Sequence, residues 1–190
     1  SSYVFKISDT SEQESFIRAR HKALQLLNKA GIPCPSLVPS SRSGHLISIS
    51  DDTKTAFHAW MITWLPGQLL GDTCRRSPRL LRNLGSFFAR IDLILGSMKD
   101  QAFHRYLVWD LHHAADTEPL CTHIADARGR NTVRRFFSRY RARVKPRLSS
   151  LRKQVIYNDA NDYNIFVDAG GTRVTAIIDF GDMVYTSLIC

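Results

Sequence analysis

Alternating hydrophobic and polar positions in the first third of the chain predict an antiparallel sheet. Residues Tyr3–Ile7 alternate and are rich in β-forming side chains, which is typical of a strand. Two later apolar runs, residues 46–49 and Ala56–Thr63, flank the turn-forming sequence SDDTK, so we expect them to pair as a hairpin. Pro66 and Gly67 are expected to end the second run.

Apolar residues that recur every three or four positions predict three helices. The first spans residues 12–29, and Ser11 with Glu14 has the spacing of a capping box at its start. The second spans residues 80–95, and the third is a basic helix that ends near Pro146. The side chains expected to face inward in the first helix are Phe16, Ala19, Ala23, Leu26 and Leu27. The apolar residues that indicate the second helix are Leu81, Leu84, Phe87, Phe88 and Ile91.

Three short apolar runs near the end of the chain predict a β meander. They cover residues 155–157, Ile165–Val167 and residues 174–178, and the sequence DAGGT supplies a turn between the last two. The order of all elements predicts an α+β fold. We expect a small lobe of sheet and helix in residues 1–66 and a mainly helical lobe with the meander in residues 67–190.

The positive charge of the chain is concentrated in one segment. The net charge is +9, but residues 128–153 contain eleven Arg or Lys and no Asp or Glu, so removing these eleven charges leaves −2 for the rest. Helical spacing of the apolar residues indicates that the charges line the solvated face of an amphipathic helix. The alternative is a surface for an anion or a partner. The apolar residues are Val133, Phe136, Phe137, Tyr140 and Val144.

Composition and cysteine spacing indicate a globular, cytoplasmic protein. Hydrophobic residues make up 44% of the chain and charged residues 23%, which is enough apolar content for a core. No apolar run approaches the ~20 residues of a membrane-spanning helix, and the first residues lack the features of a secretion signal. The cysteines have neither zinc-site nor redox-motif spacing, so we interpret them as reduced thiols of a cytosolic protein, with secretion as the alternative: Cys34, Cys74, Cys121 and Cys190.

The strongest chemical pattern lies in the sequences VIYNDANDYNIFVD and AIIDFGDM. Asp159 is followed five residues later by Asn164, and Asp179 comes fifteen residues after that, at the end of an apolar run. Phosphoryl transfer needs a carboxylate that accepts the proton of the attacking hydroxyl group, together with amide and carboxylate oxygens for Mg2+. The turn at Gly170 and Gly171 would fold the two sequences together. The alternative is a surface Asx-turn without a catalytic role.

In order and spacing, these two sequences resemble the aminoglycoside phosphotransferase and choline kinase-like superfamily, which has a two-lobed, protein kinase-like fold. Within it, the chain is most similar to hydroxylysine kinase-like proteins, including the kinase-like domain fused to aminotransferases in some bacteria. The sequences YVFKIS, LNKAGIPCP and MITWLPGQ occur earlier in family order, so the resemblance covers nearly the whole chain. It implies ATP and Mg2+ as cofactors, and a small amino alcohol or hydroxy amino acid as substrate.

The resemblance also implies roles for individual residues. Asp159 would be the catalytic base, and Asn164 and Asp179 would bind Mg2+. Lys6 would reach the nucleotide phosphates, although a lysine in a strand is also a common surface residue. The hinge residues, whose backbone would hydrogen-bond adenine, are Thr63, Trp64 and Leu65. The residues that could contact the substrate are Asn161, Asp162 and Asp182. The alternative role for Asp182 is to cap a turn.

Three departures from the family pattern affect these expectations. Tyr157 stands two residues before the catalytic aspartate, where the family usually has histidine. Arg20 and His21 stand where the helix after the lysine strand often carries an acid that pairs with the lysine. The chain also begins at the lysine strand and stops eleven residues after Asp179, so the resemblance predicts a fragment. We expect an open sheet edge, reduced stability, self-association, weak activity or fusion to a larger enzyme.

These patterns support three functions. The first is an ATP- and Mg2+-dependent kinase of a small hydroxylated amine, or the remnant of one. The second is a non-catalytic relative that binds a nucleotide or a partner, which Tyr157 and the missing lobe pieces favour. The third is nucleic-acid binding through the basic helix of residues 128–153, which predicts strongly salt-dependent binding. It ranks last, because no base-reading motif accompanies the charge.

Overall fold

An antiparallel sheet of four strands and one long helix form the first part of the structure, a computed structural model that describes residues 2–41, 44–73 and 76–189. The elements are β1 Tyr3–Ile7, α1 Glu14–Lys29, β2 Leu37–Val38, β3 Ile47–Ser50 and β4 Ala56–Thr63. Strand β4 is central, because β1 pairs with one of its edges while β3 and β2 follow one another along the other edge. The predicted strand, helix and hairpin are therefore confirmed, with β2 as an addition.

The second part contains helices and two smaller sheets. Its elements are β5 Gln68–Leu69, a 3-10 turn Leu70–Asp72, α2 Pro78–Leu95, 3-10 segments Gln101–Phe103 and Leu111–His123, α3 Ala127–Arg139, a π-helical turn Tyr140–Val144, α4 Lys145–Leu148, β6 Lys153–Ile156, β7 Ile165–Val167, β8 Val174–Ile177 and β9 Val184–Ser187. Strands β5, β7 and β8 form one antiparallel sheet, and β6 pairs with β9. No helix in the described ranges is long and apolar enough to cross a bilayer.

The predicted capping box at the start of α1 is wrong. Helix α1 begins at Glu14 after Gln13, which makes no capping hydrogen bond with its side chain. The backbone N–H and hydroxyl of Ser11 both donate to Oδ1 of Asp9, at 2.8 and 2.6 Å. Glu14 instead forms an ion pair with Arg18 at 2.6 Å. An aspartate two residues earlier therefore holds Ser11 in a local turn, and the helix starts later than its apolar spacing indicates.

The predicted meander is only partly correct. Strands β7 and β8 form the expected hairpin, but β6 pairs with β9, a strand that apolar spacing did not predict. Strand β9 buries two hydroxyl side chains. The Thr186 hydroxyl donates to Oδ1 of Asp110 at 2.8 Å, and Ser187 Oγ lies 3.0 Å from Nε2 of His112. These partners are 76 and 75 residues away, so burial of the polar strand depends on tertiary contacts.

Helices α1 and α2 pack side by side and form the centre of the hydrophobic core with β6, β7 and β8. Ser77 caps α2 by accepting from the N–H of Leu80 at 3.1 Å, and Pro78 follows in the first turn. This start places Leu80 in the core and leaves Leu81 exposed, whereas Phe87 and Ile91 are buried. The fully buried centre includes Ala23, Leu27, Leu80, Ile91, Leu95, Phe103, Ile177 and Met183.

Strand β1 has the open edge that the resemblance predicts. Of the described strands only β4 pairs with it. Val4 and Lys6 are half-buried, whereas the alternate side chains Tyr3, Phe5 and Ile7 are more than half exposed. Unpaired N–H and C=O groups beside exposed apolar side chains favour association with another strand. The expected self-association itself stays a prediction.

The basic segment forms α3, the π-helical turn and α4, but its apolar face is poorly covered. No residue of α3 is buried, and Phe136 is 63% exposed. The segment is held against the preceding 3-10 segment by polar contacts: the Tyr140 hydroxyl donates to the carbonyl of Leu111, and Arg141 Nη2 donates to Glu118 at 2.9 Å. The charges therefore line a solvated surface, as expected, but this helix contributes little to the core.

The two described cysteines agree with the expectation of reduced thiols. Cys34 and Cys121 are buried and form no disulfide. Burial raises the pKa of the Cys34 thiol to about 12, which keeps the thiol protonated and unreactive. Cys74 and Cys190 lie outside the described residues.

Candidate active site

A cavity of about 240 Å³ lies between the first sheet and the end of β8. Its lining includes Lys6 on β1, the segment after β4 and the residues after β8. The structure thus brings together five of the residues that the sequence singled out for nucleotide and metal: Lys6, Thr63, Trp64, Leu65 and Asp179. The walls also contain apolar and aromatic side chains suited to a flat ring: Val4, Trp60, Ile62, Phe166 and Phe180.

The loop between β6 and β7 holds the Asp159 carboxylate between two amide groups. Asn161 Nδ2 donates to Oδ1 of Asp159 at 2.9 Å, and Asn164 Nδ2 donates to Oδ2 at 2.6 Å. Asn164 also donates to the Asp159 carbonyl at 3.2 Å. The N–H of Tyr163 donates to Oδ1 of Asn161, which is a local Asx-turn. The turn that we considered as an alternative is present, but Asn161 forms it, and Asp159 and Asn164 interact directly.

Asn158 is a residue of this loop that the sequence reasoning missed. Its φ is +70°, in the left-handed region that asparagine tolerates better than other residues with a Cβ. Its Nδ2 is buried and has no hydrogen-bond partner among the described residues. Backbone strain and an unpaired donor beside Asp159 are features that concentrate at functional sites. The sequence signal was an asparagine directly before the aspartate, at the end of a strand.

Tyr157 connects this loop to the end of β8. The side chain is 2% exposed, and its hydroxyl donates to the carbonyl of Ile178, directly before Asp179. The ring packs edge-on against Phe180, with ring centroids 5.1 Å apart. Burial, followed by the charges of Asp159 and Asp179, raises the pKa of Tyr157, so the hydroxyl stays a neutral donor. A tyrosine at this position can therefore tie the two loops together.

Replacing Tyr157 with Phe is expected to lower the free energy of unfolding by about 1–2 kcal/mol, because the Ile178 carbonyl loses its donor while the ring packing is kept. Urea unfolding measures this difference. Tyr163→Phe is the matched control, since Tyr163 is 64% exposed and the same hydroxyl is removed. Equal stability of the two variants would show that the Tyr157 hydroxyl does not tie the loops together.

Asp179 and Asp182 lie in the loop between β8 and β9. Asp179 has a φ of +56°, and its Oδ1 accepts from the N–H of Gly181 at 3.1 Å. Burial raises the pKa of Asp182, the negative charges of Asp159 and Asp179 add to the increase, and the Arg105 guanidinium opposes it. The three carboxylates therefore share one negative region beside the cavity.

Replacing Asp182 with Asn is expected to stabilise the protein at neutral pH. The pKa of Asp182 is raised in the folded protein, so stability is lost as the pH rises from the ordinary pKa of aspartate to the raised pKa. At a pH well below the ordinary pKa of about 4, Asp182 is protonated in both the folded and the unfolded protein, and the advantage of the variant should vanish. Thermal unfolding at pH 7 and at acid pH measures the difference.

The matched control for this prediction is Asp52→Asn, in the turn between β3 and β4. Asp52 is exposed, and its replacement makes the same chemical change. A stabilisation by Asp182→Asn that is equal at both pH values, or equal to that of the control, would contradict the prediction.

Asn164 and Asp179 lie near one another in the backbone, because the N–H of Ile178 donates to the Asn164 carbonyl at 2.9 Å, but two side chains alone would not enclose Mg2+. In residues 2–41, 44–73 and 76–189, no three His, Cys, Asp or Glu side chains are placed to hold a metal ion among themselves. A closed cage of the zinc or EF-hand type is therefore absent from this part of the chain. Mg2+ commonly binds through one or two protein oxygens, several waters and the phosphates of a substrate. One amide oxygen and one carboxylate match that mode of binding.

Two positively charged side chains, Lys6 and Arg20, line the cavity. Arg20, at 8% exposure, forms an ion pair with Glu12 at 2.8 Å and lies over the ring of Trp60, 4.9 Å from the centroid. Among the described residues, no carboxylate lies within 4.0 Å of the Lys6 amine. His21 packs on Trp60, and burial, followed by the Arg20 charge, lowers its pKa to about 4. The helix thus adds positive charge where the family often has an acid.

The hinge segment has part of its hydrogen-bonding capacity in use. The N–H of Thr63 donates to the carbonyl of Ser36 at 2.9 Å, and the N–H of Trp64 donates to the carbonyl of Ser2 at 3.0 Å. Both groups are therefore engaged within the protein. A ligand at this segment would therefore use its carbonyl oxygens and the N–H of Leu65.

The substrate candidates lie at different depths. Asp162 is exposed and forms an ion pair with Arg76 at 2.7 Å, while its carbonyl accepts from the N–H of Gly71 at 2.9 Å. Asn161 is exposed but bonded to Asp159, as described above. Asp182 is half-buried in the negative region. Of these residues, Asp182 is the one placed to attract a positively charged group.

Comparison with known proteins identifies a family that the chain matches. The model of the phosphotransferase enzyme family matches residues 1–190. Hydroxylysine kinase from Mus musculus is 29% identical in an alignment 199 residues long, which covers 96% of this chain and 53% of the mouse protein. This chain therefore spans about half the length of the curated relatives that it matches.

Solved structures show the same fold. Amicoumacin kinase hAmiN, in complex with AMP-PNP, Ca2+ and Ami, superposes with a TM-score of 0.67 at 18% identity, over 98% of this chain and 54% of that one. A microcompartment-associated aminopropanol kinase superposes with a TM-score of 0.59 at 16% identity, over 96% of this chain and 58% of that one. The fold is thus protein kinase-like. Because the family model matches every residue from first to last, the chain belongs to the phosphotransferase enzyme family.

Proposed function

We propose that this chain provides the nucleotide and metal sites of an ATP-dependent kinase that phosphorylates the hydroxyl group of a small amine. The observation that carries the proposal is the Asp159 carboxylate, which accepts from Asn161 and Asn164 at 2.9 and 2.6 Å. Its loop is hydrogen-bonded to Ile178, which lines the cavity together with Lys6 and Asp179, although Asp159 and Asn164 are not in the lining. These groups are the ones that phosphoryl transfer requires. The family membership supports the same chemistry.

The apolar part of the cavity would hold the adenine ring of ATP. Trp60, Phe166 and Phe180 offer flat or apolar surfaces to the ring. Since the N–H groups of Thr63 and Trp64 are already bonded, the Leu65 N–H and the carbonyl oxygens of the hinge would recognise the base edge. One solved relative, amicoumacin kinase, is described with the ATP analogue AMP-PNP.

The polar part of the cavity would hold the phosphates. The Lys6 amine supplies a positive charge to the phosphate oxygens, and Asn164 with Asp179 would hold Mg2+. When bound, Mg2+ neutralises part of the charge that develops on the transferred phosphoryl group. The positive φ of Asp179 turns its carboxylate out of the strand, where it is exposed to a ligand.

Asp159 would act as the general base. Its two oxygens each accept one hydrogen bond from an amide, which fixes the plane of the carboxylate and leaves further lone pairs on each oxygen. The substrate hydroxyl would donate its proton to Asp159 as its oxygen attacks the γ-phosphorus. The bond from the γ-phosphorus to the oxygen that bridges it to the β-phosphate would break, so that ADP leaves with that electron pair. The hydrogen bond from Tyr157 to the Ile178 carbonyl ties the loop of Asp159 to the loop of Asp179 and would limit their relative motion during this step.

The negative region supports an amine as the substrate class. Burial is the main cause of the raised pKa of Asp182, and the charges of Asp159 and Asp179 add to it while Arg105 opposes it. An ammonium group near the hydroxyl would be attracted to this region. Two of the proteins similar to this chain are named for such compounds, hydroxylysine kinase and aminopropanol kinase.

A panel of amino alcohols tests the proposal. We expect the Mg2+-dependent consumption of ATP to rise with at least one of hydroxylysine, ethanolamine, aminopropanol, choline or homoserine. Each compound has a control without its hydroxyl group, such as lysine for hydroxylysine and ethylamine for ethanolamine. If no alcohol raises ATP consumption above its control, the kinase proposal is wrong for this chain.

A non-catalytic nucleotide-binding protein is the second candidate. Arg20 favours it, because the helix adds a cation where an acid would otherwise orient Lys6. This candidate predicts that Mg2+ and ATP together raise the melting temperature, while the whole panel leaves ATP intact.

A further inference from the structure

Arg105 connects the loop of Asp179 and Asp182 to distant parts of the chain. It follows the 3-10 segment Gln101–Phe103. Its Nη2 donates to the carbonyl of Gly181 at 2.6 Å, and its Nε donates to the carbonyl of Met183 at 3.2 Å. The two carbonyl groups that accept these hydrogen bonds lie on either side of Asp182 in the sequence. Arg105 therefore holds the backbone of this loop from 76 and 78 residues away in the sequence.

The surroundings of Arg105 favour a permanent contact. Its guanidinium lies 3.9 Å from the centroid of the Phe16 ring on α1. Burial lowers the pKa of Arg105, while the carboxylates of Asp182 and Glu12 oppose that effect, and a guanidinium remains charged in proteins. Aromatic stacking and two backbone acceptors suit the planar fork of arginine. A lysine amine is a single point charge that matches this geometry poorly.

Arg105 holds the part of this loop that follows Phe180, whereas Tyr157 holds the part before Asp179. Asp179 is in the left-handed region, and its own hydrogen bond, to the N–H of Gly181, spans only two residues. The contacts of Arg105 fix Gly181 and Met183 from outside the loop. They also bring a positive charge beside Asp182, which opposes the increase in its pKa. Removing Arg105 would release both carbonyls and leave the loop to rearrange.

We infer that Arg105 is a positioning residue, which sets the direction of the Asp179 carboxylate toward the metal and of the Asp182 carboxylate toward the substrate amine, from outside the lining of the cavity. This inference rests on the proposed function, because it assigns a purpose to the same site. It extends that proposal to a residue that lies outside both sequence motifs.

Two substitutions separate the geometry of Arg105 from its charge. Arg105→Met removes both hydrogen bonds and the charge, and Arg105→Lys keeps the charge but not the fork. Arg18→Met is the matched control, because Arg18 is exposed on α1 and pairs only with the neighbouring Glu14 in the described contacts. All variants are made in the full chain.

Amide hydrogen exchange measures the loop directly and needs no ligand. We expect Arg105→Met to increase the exchange of amides in residues 179–184, while α1 and α2 keep the exchange of the unaltered chain. Arg105→Lys should give a smaller increase in the same residues. Unchanged exchange in residues 179–184 of Arg105→Met would overturn the inference.

Nucleotide binding gives the second measurement. For Arg105→Met we expect about a tenfold weaker binding of ATP in the presence of Mg2+, a loss similar to that of removing an outer partner of a metal ligand. Binding of adenosine, which has no phosphates, should stay the same, and Arg105→Lys should recover part of the loss. Equal weakening of adenosine and of Mg2+-dependent ATP binding would indicate general damage to the fold and would reject the positioning role.

The same series distinguishes failure of this inference from failure of the proposed function. If the unaltered chain binds no ATP with Mg2+, the proposed function fails, and the hydrogen exchange of residues 179–184 alone then decides whether Arg105 positions the loop. If the unaltered chain binds ATP with Mg2+ and Arg105→Met binds it equally well, the proposed function stands and the positioning role is wrong.

Discussion

An Asp159→Asn variant is expected to transfer phosphate about 10²- to 10⁴-fold more slowly than the unaltered chain, which is the usual contribution of a general base. An amide accepts a proton far less readily than a carboxylate, so the attacking hydroxyl would keep its proton into the transition state. The rate of ADP formation with the best substrate of the amino alcohol panel measures the effect. Binding of ATP with Mg2+ should change little, because Asp159 is not assigned to either ligand.

This substitution also has a small structural cost. Asn161 and Asn164 both donate to the Asp159 carboxylate, and asparagine offers only one acceptor oxygen in its place. One donor therefore loses its acceptor, which is expected to cost about 1 kcal/mol of stability. Asp52→Asn serves as the control for the chemical change at an exposed site. Equal rates for Asp159→Asn and the unaltered chain would exclude Asp159 as the base.

An Asp179→Asn variant is expected to lose the metal-dependent part of ATP binding. Asparagine tolerates the left-handed backbone of this position, and its Oδ1 can still accept from the N–H of Gly181, so the loop conformation should persist. The amide oxygen carries no net charge and binds Mg2+ weakly. The affinity for ATP with Mg2+ should fall by about 10- to 100-fold or more, since even outer partners of metal ligands contribute that much.

Titration of ATP in the presence and absence of Mg2+ measures this loss. In the unaltered chain, Mg2+ should strengthen ATP binding, and in Asp179→Asn the two affinities should become nearly equal. The Asp52→Asn control should keep the response to Mg2+. A full response to Mg2+ in Asp179→Asn would assign the metal to other residues and would require a different ligand for the phosphates.

The motifs predicted which residues of the site lie near one another. Asp159 and Asn164 are five residues apart in one loop, and the Asn164 amide lies 2.6 Å from the Asp159 carboxylate. Lys6 and Asp179 were joined only by their order along the chain, and both line the same cavity. The catalytic and metal-binding roles of these residues stay predictions, because the geometry permits them without testing them.

The contacts of the residues that orient the site could not be predicted from the sequence motifs. Arg105 carries no motif, and its two acceptors are backbone carbonyls, which any residue possesses. Tyr157 was noted as a departure from the family pattern, but its bond to the Ile178 carbonyl depends on how two loops meet. Arg20 was noted for the missing acid, whereas its pairing with Glu12 across the start of α1 appears only in the folded chain.

The sequence by itself determined the elements whose signal is local. Strands β1, β4, β7 and β8 and the bodies of α1 and α2 follow from the spacing of apolar side chains, because burial of one face imposes a period of two or about 3.6 residues. Family membership likewise follows from two short motifs in the correct order. Each of these signals is contained within a few residues of chain.

Only the tertiary structure decided which polar groups are buried and what satisfies them. Strand β9 escaped the pattern because its buried hydroxyls of Thr186 and Ser187 find partners about 75 residues away. The start of α1 moved because Asp9 competed for Ser11. No residue of α3 is buried, because the 3-10 segment Leu111–His123 covers its apolar face only in part. Such contacts depend on distance in space rather than on distance along the chain, so no periodicity of the sequence records them.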